Sequence, residues 1–251
     1  MSMQSDGSGR SPLTGGSLSD AGPALSPDRR KLLFTKTSGA TFDGDVYKMN
    51  VDGTIVVRLT RSRSGAGGGD WAPGMKRLVF LKLFEGGDTA GIDIDLYIMK
   101  ANGDDKRRLT RNNVVDYQPV WGPDGRIVFS RARRNGTYDL MSIRPDGSGL
   151  RRLTDTGADE YGADISPDGE RIVFVRRAWE GTTERIMVMN SDGTEETTLL
   201  TSEFGFSSPR WSADGDEIVF IGGFQIYRMN ADGSGLVQVT NGSAEYFSLD
   251  W

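Results

Sequence analysis

Residues 116–154, DYQPVWGPDGRIVFSRARRNGTYDLMSIRPDGSGLRRLT, form the stretch from which the rest of the chain is read. Asp116–Trp121 reads as a first strand ending in a tryptophan. Gly122–Gly125 has Pro at the second position and Gly at the fourth, the chemistry of a type I turn. Ile127–Phe129 is a short apolar run and Leu140–Ile143 alternates, so both read as strands. Asp146–Gly147 is a hairpin signal, after which an outer strand runs to Leu153–Thr154. Four short antiparallel strands in succession make one sheet. A lone sheet cannot bury both of its faces, so the unit has to stack on copies of itself.

Copies are present. A threonine closes each unit at Thr14, Thr60, Thr110, Thr154, Thr201 and Thr240, at intervals of 46, 50, 44, 47 and 39 residues. Propeller blades repeat at roughly 40–50 residues. An Asp-Gly or Asn-Gly turn precedes each threonine, at Asp6, Asp52, Asn102, Asp146, Asp192 and Asp232. Leu25, Trp71, Trp121, Ile165, Trp211 and Trp251 follow at a matching distance. The predicted fold is an all-β propeller of four-stranded antiparallel blades.

The blade text resembles the TolB-like β-propeller family, whose blades read D-x-x-P-x-W-S-P-D-G, then I-x-F, then I-Y-x-M-N and D-G-x-x-x-x-L-T. Asp116–Thr154 matches along its length, and Tyr227–Asn230 with Ala231–Gly235 match the later part. The resemblance runs from about Met3 to Trp251. It implies a periplasmic or secreted binding propeller, with a cytoplasmic location as the alternative. Relatives include the periplasmic Tol–Pal component and the propeller gates of prolyl-oligopeptidase-like peptidases. The given residues spell out neither the former's extra amino-terminal domain nor the latter's hydrolase domain.

The second strand occurs five times but the innermost and outer strands six. Five blades are expected, with Glu245–Trp251 supplying the innermost strand of the first blade in place of Ala21–Leu25. An incomplete six-bladed arrangement is the alternative. Residues 1–21, rich in Gly and Ser, read as an arm, and residues 22–251 as the propeller domain.

Composition narrows the chemistry. The chain has no His and no Cys, which removes the commonest general base, thiolate catalysis and His- or Cys-based metal sites. A net charge of −5 with no clustered basic stripe argues against nucleic acid. No apolar run approaches a membrane span, and Met1–Leu13 is too polar for a signal peptide. No enzyme activity, cofactor or metal is expected. The Asp-Gly loops lack the distant bidentate Glu of a calcium loop and read as hairpin turns. The repeated Trp reads as packing between blades, and the basic outer strands at Lys106–Arg108 and Arg151–Arg152 as protected sheet edges.

The loops between second and third strands break the repeat, and irregular loops on a rigid scaffold are where binding resides. They carry Phe42, Phe84, Arg131, Arg133, Arg134, Arg176, Arg177 and Trp179, the expected partner-binding face. Asp20, Asp116 and Glu160 sit at one repeat position at the expected channel mouth, either attracting cationic groups or capping loops. The expectation is a monomeric binding or scaffold module for a protein or peptide. The alternatives are a glycan- or small-ligand-binding propeller, or the regulatory propeller of a larger hydrolase.

Overall fold

The computed structural model describes residues 1–15, 19–37, 44–89, 92–178 and 182–251, without the side chains of residues 85–89. Among the described residues there are strands and no helices. The strands form five four-stranded antiparallel sheets, each with its strands in chain order from inner to outer, the blades of a β-propeller. They fall into two compact units, Met1–Val115 with two blades and Asp116–Trp251 with three.

In the first unit, one blade consists of β1 (Ser19–Leu25), β2 (Lys31–Thr37), β3 (Asp45–Asn50) and β4 (Val57–Arg58). The other consists of β5 (Ala66–Trp71), β6 (Arg77–Thr89), β7 (Ile92–Lys100) and β8 (Arg107–Arg108). Leu33 and Val46 of the first blade pack with Trp71, Leu78 and Phe80 of the second, and the Trp71 indole N–H donates to the Ala24 carbonyl at 3.1 Å. Trp71 therefore fills the seam between these two sheets.

In the second unit, the first blade is β9 (Asp116–Trp121), β10 (Ile127–Ala132), β11 (Tyr138–Ile143) and β12 (Arg151–Arg152). Next comes β13 (Asp159–Ile165), β14 (Arg171–Arg177), β15 (Glu184–Asn190) and β16 (Thr197–Ser202). The last is β17 (Phe206–Trp211), β18 (Glu217–Gly222), β19 (Gln225–Asn230) and β20 (Val237–Gln238). Trp211 packs on Val173, Val175 and Val188 of the preceding blade, with the Arg171 guanidinium 4.5 Å from its ring.

Every inner strand bends at one place. A left-handed residue three before the Trp position (Gly22, Gly68, Gln118, Gly162 or Ser208) coincides with a slip in pairing to the second strand. This is bulge geometry, and Gln118 and Ser208 adopt it without being glycine, at φ 49° and 51°.

Five blades are present as expected, but the first is completed differently. Ala24 and Leu25 pair with Leu33 and Leu32, so β1 itself occupies the innermost position of that sheet. Residues 245–251 form no strand. They lie against their own unit, with Asp250 at 3.6 Å from Arg210 and the Tyr246 N–H donating to the Phe224 carbonyl at 3.0 Å. The physical reason is local: Gly22 takes the left-handed bulge (φ 59°) and lets Ala24 and Leu25 reach register.

A second slip concerns Thr201. In four blades the residue two before the closing threonine pairs with the third strand, as Arg152 does with Met141. In the fourth blade Thr198 pairs with Met187, so Leu200, not Thr201, holds the threonine position. Thr201 is exposed.

Residues 2–11 repeat the outer hairpin once more. Ser2 and Ser11 form an antiparallel bridge, and the Ser8 N–H donates to Asp6 at 2.9 Å, as the Thr54 N–H does to Asp52. Leu13, just beyond it, packs on the first blade: a Cβ added at Gly53 (φ +83°) would lie 2.8 Å from the Leu13 carbonyl oxygen. At Gly125 (φ +82°) a Cβ would meet nothing within 4 Å. Both alanine variants lose about 1 kcal/mol to backbone strain. Gly53→Ala is expected to lose clearly more in denaturant unfolding, and equal losses would mean the Leu13 segment yields freely.

Candidate functional site

Each blade has two ends of different character. One end carries the turns between first and second strands and the Asp-Gly hairpins, each built on a recurring hydrogen-bond scheme. Ser26, Ser166 and Ser212 donate to Asp28, Asp168 and Asp214 at 2.6, 2.5 and 2.5 Å. In the hairpins the Thr54, Ser148, Thr194 and Ser234 N–H groups each donate at 2.9 Å to the Asp two residues before. Hydrogen bonds from Thr54 and Thr194 hold the Asp52 and Asp192 carboxyls below their usual range. These aspartates are engaged in shaping their turns.

The closing threonines organise the opposite end. Thr60 Oγ1 accepts the Val46 N–H at 2.9 Å and donates to Asp45 at 2.6 Å. Thr110, Thr154 and Thr240 accept the Leu96, Leu140 and Ile226 N–H groups and donate to Asp95, Glu160 and Gln225. The arginines of the outer strands complete this arrangement: Arg58 contacts Asp45, Arg108 contacts Asp93 and Asp95, and Arg152 contacts Asp139 at 2.6 Å. Their charge is spent on buried carboxylates of the same blade, in addition to covering an edge.

The residues expected at the binding face divide on inspection. Arg131 makes a two-pronged contact with Asp116 at 2.6 and 2.8 Å. Arg176 reaches Glu160 at 2.9 Å and Glu196 at 2.7 Å. Thus four residues from the two expected groups meet as two ion pairs, between directly opposite positions of first and second strands. Asp20 lies 3.7 Å from Lys36 in the same relation. Arg133 pairs with Asp139 and Asp155, and Arg177 with Asp159 at 2.5 Å. Phe84 is half-buried, stacked on Tyr97 at 6.1 Å beneath the Arg108 guanidinium. Arg134 is exposed and Arg177 keeps half of its side chain in solvent. Phe42 and Trp179 lie outside the described residues.

Reasoning from sequence missed two features of the second unit. One is Phe204, Phe224 and Phe247, exposed on three separate segments at the loop end of its last blade. Their signal is apolar residues inside otherwise polar loops. The other is Asp164, which accepts the Trp211 N–H at 2.8 Å. Burial pushes its carboxyl up to about 6 from the usual 3.8, against the pull of Arg210. Since the fold favours the neutral form, its stabilising contribution is complete below pH 4 and is lost as pH rises through 6. Asp164→Asn keeps an acceptor for Trp211. It should match the parent in stability near pH 3 and exceed it by about 3 kcal/mol at pH 8, by thermal or urea unfolding.

Among the described residues no three Asp or Glu side chains are grouped to hold a metal ion. Among the same residues no helix is long and apolar enough to cross a membrane.

Repeated four-stranded blades, a Trp-filled seam and one irregular end define a propeller whose loops are the variable surface. The family model described as TolB beta propeller domain matches residues 70–221, and the chain belongs to that family. An uncharacterized protein of Agrobacterium fabrum is 30% identical over 141 residues, which cover 53% of this chain and 48% of that protein. The Tol-Pal system protein TolB of Anaeromyxobacter dehalogenans is 28% identical over 117 residues, 47% of this chain and 26% of that one. The matched part thus spans about half the length of one curated relative and a quarter of the other. Among solved structures, TolB from Acinetobacter baumannii aligns with a TM-score of 0.75 at 18% identity, over 88% of this chain and 54% of that one. An oligogalacturonate lyase from Vibrio parahaemolyticus aligns at 0.67 with 16% identity, over 95% and 70%. At these identities the structural likeness shows the fold alone.

Proposed function

We propose that this chain is a non-enzymatic, monomeric binding or scaffold module that takes a protein or peptide partner at the loop end of its blades. The observation that supports this is the contrast between the two ends. The turn end is the same motif written repeatedly, with its polar side chains consumed by the backbone. The loop end differs from blade to blade and holds the exposed Arg134, the half-exposed Arg177 and the exposed phenylalanines. A partner can distinguish this protein from other propellers only where the repeat is broken.

Membership of the TolB propeller family supports a binding role, and the resemblance supports a periplasmic setting. The lack of His and Cys in the sequence supports the non-enzymatic part, since no imidazole or thiolate is available to share a proton or attack a substrate. The likeness to a lyase structure brings fold and not chemistry.

The test is a paired substitution. Arg134→Ala with Arg177→Ala should weaken partner binding at least about tenfold. Asp146→Asn with Asp192→Asn at the turn end should leave it unchanged. Loss of binding from the second pair and not the first would reverse the assignment of faces.

A further inference from the structure

Three phenylalanines lie at the loop end of the last blade in the second unit, two of them in contact. Phe204 lies between β16 and β17, Phe224 sits at the tip of the β18–β19 hairpin, and Phe247 lies in the carboxy-terminal segment. Their exposures are 85%, 52% and 69%. Phe224 and Phe247 make an edge contact, ring centroids 5.7 Å apart. Phe204 borders Gly223, where an added Cβ would be 3.8 Å from its own Cβ. The carboxy-terminal segment is held at this tip: the Tyr246 N–H donates to the Phe224 carbonyl at 3.0 Å, and Gln225 donates to the Ala244 carbonyl at 2.7 Å.

Two features separate this cluster from scattered surface apolar residues. Phe224 has φ +66°, a left-handed conformation that is costly for a bulky side chain and that a glycine would take freely. The strain is not repaid by burial in the core, since the Phe224 ring is half exposed and touches only the exposed Phe247 among the aromatic rings described. Beneath the tip, the buried Phe206 and Phe220 and the partly buried Tyr227 form an aromatic cluster, with Phe206 edge-on to Phe220 at 5.5 Å and Phe220 over Tyr227 at 5.6 Å. The exposed rings therefore stand on a rigid base, and a partner meets a preformed surface.

The charge beside the cluster selects the partner. Glu203 and Glu245 flank it and are exposed. Residues 201–206, 222–226 and 241–249, which build the tip, contain no Lys or Arg. We infer that Phe204, Phe224 and Phe247 form a docking site for a peptide segment carrying one aromatic or large aliphatic anchor flanked by Lys or Arg. The anchor packs among the three rings, and its basic neighbours lie against Glu203 and Glu245. This deepens the loop-end reading and rests on it.

The test pans a phage-displayed library of random linear peptides on the intact chain, then measures synthetic copies of the enriched peptides by calorimetry. Enriched sequences should share an apolar anchor next to Lys or Arg and should bind less tightly as salt rises. Phe224→Gly, which relieves the backbone and keeps the fold, should weaken them about tenfold, as should Phe204→Ser with Phe247→Ser. Peptides that bind parent and both variants equally, and lose affinity only on Arg134→Ala, would overturn this site while leaving the loop-end reading standing. Acidic enriched peptides, or no enrichment above the variants, would overturn it as well. So would dimerisation of the parent abolished by Phe224→Gly, since a second copy would then be the occupant.

Discussion

Arg131→Met is expected to lower the unfolding free energy by about 3 kcal/mol, measured by urea denaturation at neutral pH. The arginine grips Asp116, fully buried, with two hydrogen bonds of 2.6 and 2.8 Å. Removing it takes a two-pronged cation from a carboxylate buried inside the second unit, and breaking a buried ion pair costs far more than losing a surface one. Combining Arg131→Met with Asp116→Asn should recover most of the loss, because the neutral amide no longer needs a cation. If the double variant is as damaged as the sum of the single ones, the two residues act independently and the pair is not what holds the loop end.

Phe174→Ala should cost about 4 kcal/mol by the same measurement. Phe174 occupies the second-strand position held by Phe34, Phe80, Phe129 and Phe220 in the other blades, and all five are buried. Its ring packs with Leu140, Leu153 and Met187, so truncation opens a cavity where neighbouring sheets meet. Phe204→Ala is the internal contrast, since a largely exposed ring should shift stability by less than about 0.5 kcal/mol. Similar losses for both would mean that the exposed cluster is part of the core.

The blades were legible in the sequence because their turns are chemically narrow. A type I turn after the Trp position and an Asp-Gly hairpin before the closing threonine admit few residues, and those residues recur. Trp71 and Trp211 went to the seams between blades for the same reason: the position is fixed by the turn that follows it. The site was less legible. Arg131 and Asp116 are 15 residues apart, and only the bulge at Gln118 brings them opposite each other. Without that slip, the two groups looked like separate surface features. The fourth blade's closing threonine was misplaced by one residue, since Leu200 fills the position and Thr201 copies the text next to it. Glu245–Trp251 carries the text of an inner strand, yet Ala24 and Leu25 already hold that place in the first blade. Three phenylalanines scattered between residues 204 and 247 share no motif, and only the fold assembles them.

The most direct measurement of where this protein binds is site-specific photo-crosslinking in its native cells. A benzophenone amino acid is placed singly at position 134 or 204 at the loop end, and at position 146 or 192 at the turn end. A discrete, ultraviolet-dependent adduct to another protein is predicted from 134 or 204, with none from 146 or 192. An adduct formed from 146 or 192 and absent from both loop-end positions would contradict the account.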